Sequence, residues 1–171
     1  IAETIKEVSQ KKEILNIVEP EKNRVVVSED DEVLFVFGSD KSFMQIRPDE
    51  ENEPYVLKLN NICYRGSIEV RRNAQSDMTV INVLPLEHYL YGVLPGEIEP
   101  SANPEALKAQ AVASRTYVLS NMGKHGELGF DLCNTTGCQV YKGFSCEKPA
   151  SNKAADDTEN EIVMYEGSPA K

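Results

Sequence analysis

The chain has 171 residues, 40% of them hydrophobic and 27% charged, enough for one domain with a proper core and cramped for two. Its 18 Lys and Arg against 28 Asp and Glu leave a net charge of −10, which excludes the basic face that nucleic acid or an anionic lipid surface requires. No run reaches the roughly 20 apolar residues of a membrane helix, and no signal peptide is visible. The chain starts at Ile1 rather than Met. It is expected to be a fragment or processed form, so membrane attachment is expected only through an anchor absent from this stretch.

Taken in chain order, residues 1–22 are polar with a short helical pattern (Ile5, Val8, Ile14, Ile17) that ends at Pro20. Short β-type runs follow at 24–28, 32–37, 43–47 and 55–59, separated by Asp, Gly, Pro and Asn, and predict a strand meander. Runs at 68–72 and 78–84 flank a turn-like segment at 73–77 and predict a hairpin. The character changes at Pro85. Leu86, Tyr89, Leu90 and Val93 have helical spacing. The clearest element comes next: Asn103 as cap, Pro104 in the first position, Glu105 at the positive end of the dipole, then an Ala-rich run to Asn121 with Gly123 as its stop. Gln110 and Arg115 are out of place on so apolar a helix and need partners if buried. A loop rich in Cys, Asn, Thr and Gly follows, then a polar helical stretch at 148–160 and a last strand at 161–165 before the turn at Gly167. The fold class is α+β: a β-rich N-terminal region over 1–60, then a core over 61–171 built on the central Ala-rich helix.

Four cysteines are present, and Cys133, Cys138 and Cys146 follow closely on His125. An even count permits disulfides outside the cytoplasm, and the cluster equally permits a metal. Cys63, in a β-type run, reads as core.

Two long runs carry a resemblance. The first is Asn82 to Glu97, with Leu86-Glu87-His88-Tyr89-Leu90-Tyr91-Gly92-Val93 at its centre. The second is Glu105-Ala106-Leu107-Lys108-Ala109-Gln110-Ala111-Val112-Ala113-Ser114-Arg115-Thr116-Tyr117. With Gln139-Val140-Tyr141-Lys142-Gly143 and Tyr64-Arg65-Gly66, they resemble the SpoIID/LytB family in order and spacing. The family pattern continues past Lys171 into a Ser- and Gly-rich segment that helps line a sugar cleft. The chain thus resembles a truncated SpoIID-type domain.

The resemblance implies a lytic transglycosylase acting on peptidoglycan glycan strands outside the cytoplasm, in sporulation or wall remodelling. The alternative it implies is a LytB-like amidase enhancer that binds a cell-wall amidase and stimulates it. No cofactor is needed for the chemistry. Glycosidic cleavage needs a carboxylic acid that protonates the leaving oxygen, and the resemblance gives that role to Glu97, with Glu99 as its local rival. The run Gly92–Gly96 predicts an apolar, tightly turned setting for Glu97 that would raise its pKa. Arg115 is a candidate for gripping the lactyl carboxylate of the substrate or for an internal ion pair. Gln139 and Tyr141 are candidates for lining the cleft or for packing. His88 is expected on the solvent side of its helix. Sporulation members of the family carry zinc in the Cys loop, with a His before the Cys that adjoins Gln, where this chain has Gly137. The resemblance therefore offers His125, Cys133 and Cys138 as ligands of a structural zinc, and a Cys133–Cys138 disulfide is the competing reading.

Overall fold

The computed structural model describes residues 16–18, 24–29, 32–38, 43–48, 55–73 and 76–171. In chain order the strands are β1 (Asn16–Val18), β2 (Arg24–Glu29), β3 (Glu32–Gly38), β4 (Met44–Ile46), β5 (Val56–Leu59), β6 (Ile62–Arg65), β7 (Ser67–Asn73) and β8 (Ser76–Val83). The helices α1 (Leu86–Glu97), α2 (Pro104–Ser120) and α3 (Pro149–Asp157) follow, then a small hairpin of β9 (Met164–Tyr165) and β10 (Ser168–Pro169). The fold is α+β with the strands concentrated in the N-terminal part, as the sequence implies.

Two compact units divide the chain, one of residues 1–61 and 66–83, the other of residues 62–65 and 84–171. The β7–β8 hairpin thus groups with the N-terminal strands rather than with the core that the sequence pattern begins at residue 61. In the first unit β1, β2 and β3 form an antiparallel meander, with Val26 opposite Val36 and a register shift after Val27. Ile17 therefore lies on a strand rather than a helix, while Ile5, Val8 and Ile14 lie outside the described residues. The meander does not continue: β4 pairs with β7, not with its chain neighbours, and β7 pairs with β8 with Val70 opposite Val80. Val27, Ile68 and Val70 are buried.

The second unit is helical. Asn103 caps α2 by accepting a hydrogen bond from the Glu105 amide at 2.9 Å, and Pro104 occupies the first turn, where its missing N–H costs nothing. Leu90 and Leu94 of α1, Ala111 of α2 and Ala155 of α3 are fully buried against one another. The buried face of α2 is Leu107, Ala111, Ser114, Arg115, Thr116 and Val118. Ala106, Ala109 and Ala113 are exposed, and Ala111 is the alanine of α2 that joins the core. The helix α1 runs four residues past Val93, where the helical spacing in the sequence stops, and carries Pro95 in its last turn. A proline there forfeits one hydrogen bond instead of breaking a helix interior.

Gly92 leaves no room for a side chain. A Cβ there would lie 2.3 Å from Cε2 of Tyr141, whose ring stacks on Tyr89 at 5.2 Å between centroids. Ala would favour the helix by about 1 kcal/mol over Gly. Gly92→Ala is nonetheless expected to destabilise the protein by about 1–3 kcal/mol, because a ring held against a second ring has nowhere to go. A urea titration would check this, and an unchanged midpoint would show that Tyr141 moves freely.

Candidate functional site

Arg115 has 1% of its surface exposed, and its guanidinium forms a two-pronged ion pair with Glu87 of α1, at 2.8 Å from Nε and 2.6 Å from Nη2. Its remaining donors reach the carbonyls of Ala155 and Glu161 and the hydroxyl of Thr158. Of the two readings open from sequence, the internal ion pair is the one present. As a ligand for a substrate carboxylate, Arg115 has no donor left.

Gln139 is also turned inward. Its Nε2 donates to the Ser114 carbonyl at 3.5 Å, and its Oε1 is buried without a partner among the described residues. Tyr141 packs between Gly92 and the ring of Tyr89, and burial pushes its hydroxyl pKa well above the usual phenol value. Both side chains are turned into the packed unit. His88 is half-buried with its ring 5.6 Å from that of Tyr91, rather than open to solvent. Burial, then the nearby Arg65 charge, lowers its pKa.

Glu97 closes α1 and is exposed. The run before it is helical rather than tightly turned, and its apolar members Val93 and Leu94 point into the core. The apolar burial expected around Glu97 is therefore not there. Its rigid support is: the last turn of α1 holds the carboxylate at one end of a packed helix. Glu99 is exposed in the turn beyond.

The cysteine loop brings one His and two Cys together. His125, Cys133 and Cys138 offer ligand atoms that all lie within 4.8 Å of one another, and the His125 Nε2 is 3.3 Å from the Cys138 Sγ. Tetrahedral zinc would separate such atoms by roughly 3.5–3.8 Å, and two thiolates with an imidazole are a natural zinc set, so the residues fit the ion. All four cysteines are free thiols in this structure. Cys146 instead donates to the Gly92 and Gly143 carbonyls. Hydrogen bonds from Thr135, then from Cys138, lower the Cys133 pKa to about 6, while burial raises that of Cys146. In metal-free protein Cys133 is therefore expected to hold more thiolate at pH 7 than an ordinary cysteine. Iodoacetamide is expected to label it well before Cys146 at pH 7, with mass mapping as the check; equal labelling of the two would contradict this environment.

One residue central to this neighbourhood has no role assigned by its sequence pattern. Tyr89 stacks on Tyr141, and its hydroxyl is buried without a partner among the described residues. Burial raises its pKa far above the usual phenol range, and the charges it feels next are Cys138, Tyr117, Cys133 and Glu97. Lys124 adds a cation at the rim, donating to the Gly137 carbonyl at 2.7 Å and to the Tyr117 hydroxyl at 3.5 Å. Tyr89 is in the Leu-Glu-x-Tyr-Leu run, but its spacing reads equally well as core.

The family model described as Stage II sporulation protein, SpoIID, matches residues 74–165, more than half of the chain, and the chain belongs to that family. It is 44% identical over 110 residues to a Brachyspira hyodysenteriae protein described only as uncharacterized, a match covering 64% of this chain and 30% of that protein. It is 40% identical over 79 residues to the amidase enhancer of Bacillus subtilis strain 168, covering 46% of this chain and 10% of that protein. It is 33% identical over 118 residues to stage II sporulation protein D of the same strain, covering 60% and 34%. The chain spans about a third or less of the length of these relatives. No solved structure matches it.

Proposed function

We propose that this chain carries the catalytic acid of a lytic transglycosylase that acts on peptidoglycan glycan strands outside the cytoplasm. The supporting observation is Glu97, an exposed carboxyl fixed at the end of a packed helix. Membership of the SpoIID family, and relatives named stage II sporulation protein D and amidase enhancer, support a role in sporulation or at the cell wall. In this reading the protonated carboxyl of Glu97 gives its proton to the glycosidic oxygen between MurNAc and GlcNAc as the C1–O bond breaks. The resulting carboxylate takes the proton from the MurNAc C6 hydroxyl, whose oxygen bonds to C1. The products are a free GlcNAc 4-hydroxyl and a 1,6-anhydro MurNAc end, and Glu97 is regenerated protonated. One group serves both steps, so no second carboxylate is required.

The reading includes zinc held by His125, Cys133 and Cys138, supplying a cross-link that orders the loop without taking part in bond cleavage. The second reading is a wall-binding stimulator of an amidase, favoured by the 40% identity to the amidase enhancer. The test is to incubate the full-length protein with glycan strands stripped of stem peptides and weigh the products. Anhydro ends are expected. Their absence, together with stimulation of a cell-wall amidase, would favour the second reading.

A further inference from the structure

Residues 139–143 lie along the last turns of α1 and lead toward Glu97. The Lys142 amide donates to the Gly92 carbonyl at 3.3 Å, and the Val140 carbonyl lies 3.4 Å from a Cβ built on Gly96. From Lys142 to Val140 the segment thus passes from Gly92 to Gly96, about 6 Å along the helix axis. On its other flank Gly143, at φ +75°, comes so close to the Cys63 carbonyl that a Cβ would lie 2.5 Å from that oxygen. Backbone therefore fixes the segment on both sides. Tyr141 and Gln139 take its inner face, against Gly92 and the Ser114 carbonyl. Lys142, between the inward Tyr141 and the packed Gly143, is exposed.

A glycan strand is an anion wherever its stem peptide is gone, because the lactyl group on MurNAc O3 then ends in a carboxylate. A chain of net charge −10 repels such a strand unless a local cation meets it, and Arg115 has no donor left to do so. Lys108 and Lys153 are paired with Glu105 and Asp157, and Lys124 is held on the Gly137 carbonyl. Lys142 forms no ion pair among the described residues. We propose that Lys142 is a specificity-determining residue of the glycan site, its ammonium taking the free lactyl carboxylate of the MurNAc whose C1–O bond Glu97 breaks. That carboxylate hangs from C3, two ring carbons from the reacting C1, which suits a cation anchored about one helical turn from the acid. The four-carbon stem brings three donors to the carboxylate in a charge-assisted hydrogen bond. A stem peptide turns the same group into a neutral amide and removes the partner. The inference rests on the glycan-cleaving reading and adds the feature of the strand that this chain recognises.

The test measures binding by the full-length protein carrying Glu97→Gln, which holds the strand without cleaving it, with and without Lys142→Met. The probes are glycan strands stripped of stem peptides and the same strands with their lactyl carboxylates converted to amides. Lys142→Met is expected to weaken binding of the stripped strands about tenfold and to leave binding of the amidated strands unchanged. Lys142→Arg should keep the preference for the carboxylate. Added salt should weaken binding of stripped strands more with Lys142 in place than with Lys142→Met. Unchanged affinity for the stripped strands, or an equal loss on both kinds of strand, would overturn the assignment. Failure of the unsubstituted protein to form anhydro ends would sink the glycan-cleaving reading instead, and the binding comparison would still decide whether Lys142 takes the carboxylate.

Discussion

Arg115→Met is expected to destabilise the protein by about 3–5 kcal/mol, a larger loss than that from Gly92→Ala. The guanidinium is buried and makes five hydrogen bonds, to Glu87, Thr158, Ala155 and Glu161. Removing it leaves the Glu87 carboxylate, which retains only 22% side-chain exposure, without its cation. It also leaves the carbonyls of Ala155 and Glu161 without their Arg115 donors, and an unpaired buried acceptor costs more than an absent bond. Arg115→Lys keeps the charge but loses the fork, so it should recover only part of the loss. The double variant Arg115→Met with Glu87→Met removes both charges and should be more stable than Arg115→Met alone. Thermal and urea unfolding of the wild type, the Arg115→Met and Glu87→Met single variants and the double variant forms a double-mutant cycle. Additive effects would mean that the two side chains do not work as a pair.

Glu97→Gln is expected to lower the formation of 1,6-anhydro ends by roughly 10²–10⁴-fold, with glycan binding retained. The amide keeps the shape of the side chain and has no proton of useful acidity to give. Stability should stay the same or rise slightly, because a negative charge at the C-terminal end of α1 opposes the helix dipole and Gln removes it. The pairing of lost turnover with retained fold distinguishes a reacting group from a structural one. Turnover at the wild-type rate would remove Glu97 from the chemistry and make Glu99 the next residue to substitute.

The parts legible in the sequence are those set by local rules. Asn103, Pro104 and Glu105 mark the start of α2 because capping needs only residues within one turn, and the structure has that cap. The β7–β8 hairpin follows from alternation around a turn. The end of α1 is not legible, since Gly92, Pro95 and Gly96 read as punctuation. Tertiary packing of Leu90, Val93 and Leu94 carries the helix through them. The pairing of β4 with β7 joins strands separated by two others, which no local pattern encodes. In the candidate site, spacing brings out the cysteines and His125. It cannot bring out the buried hydroxyl of Tyr89 or the inward turn of Gln139, because both depend on which face of one element meets another.

The hub at Arg115 also bears on the order in which the second unit assembles during synthesis. Its partners lie from 28 residues before it to 46 residues after it. A ribosome that has completed α2 has exposed a helix whose arginine has Glu87 but neither the Ala155 nor the Glu161 carbonyl. Closing loops of that length costs chain entropy before any contact repays it. The nascent unit should therefore remain open, and susceptible to protease in α2, until the chain through Glu161 has emerged. Protection should then appear across α1, α2 and α3 in a single step.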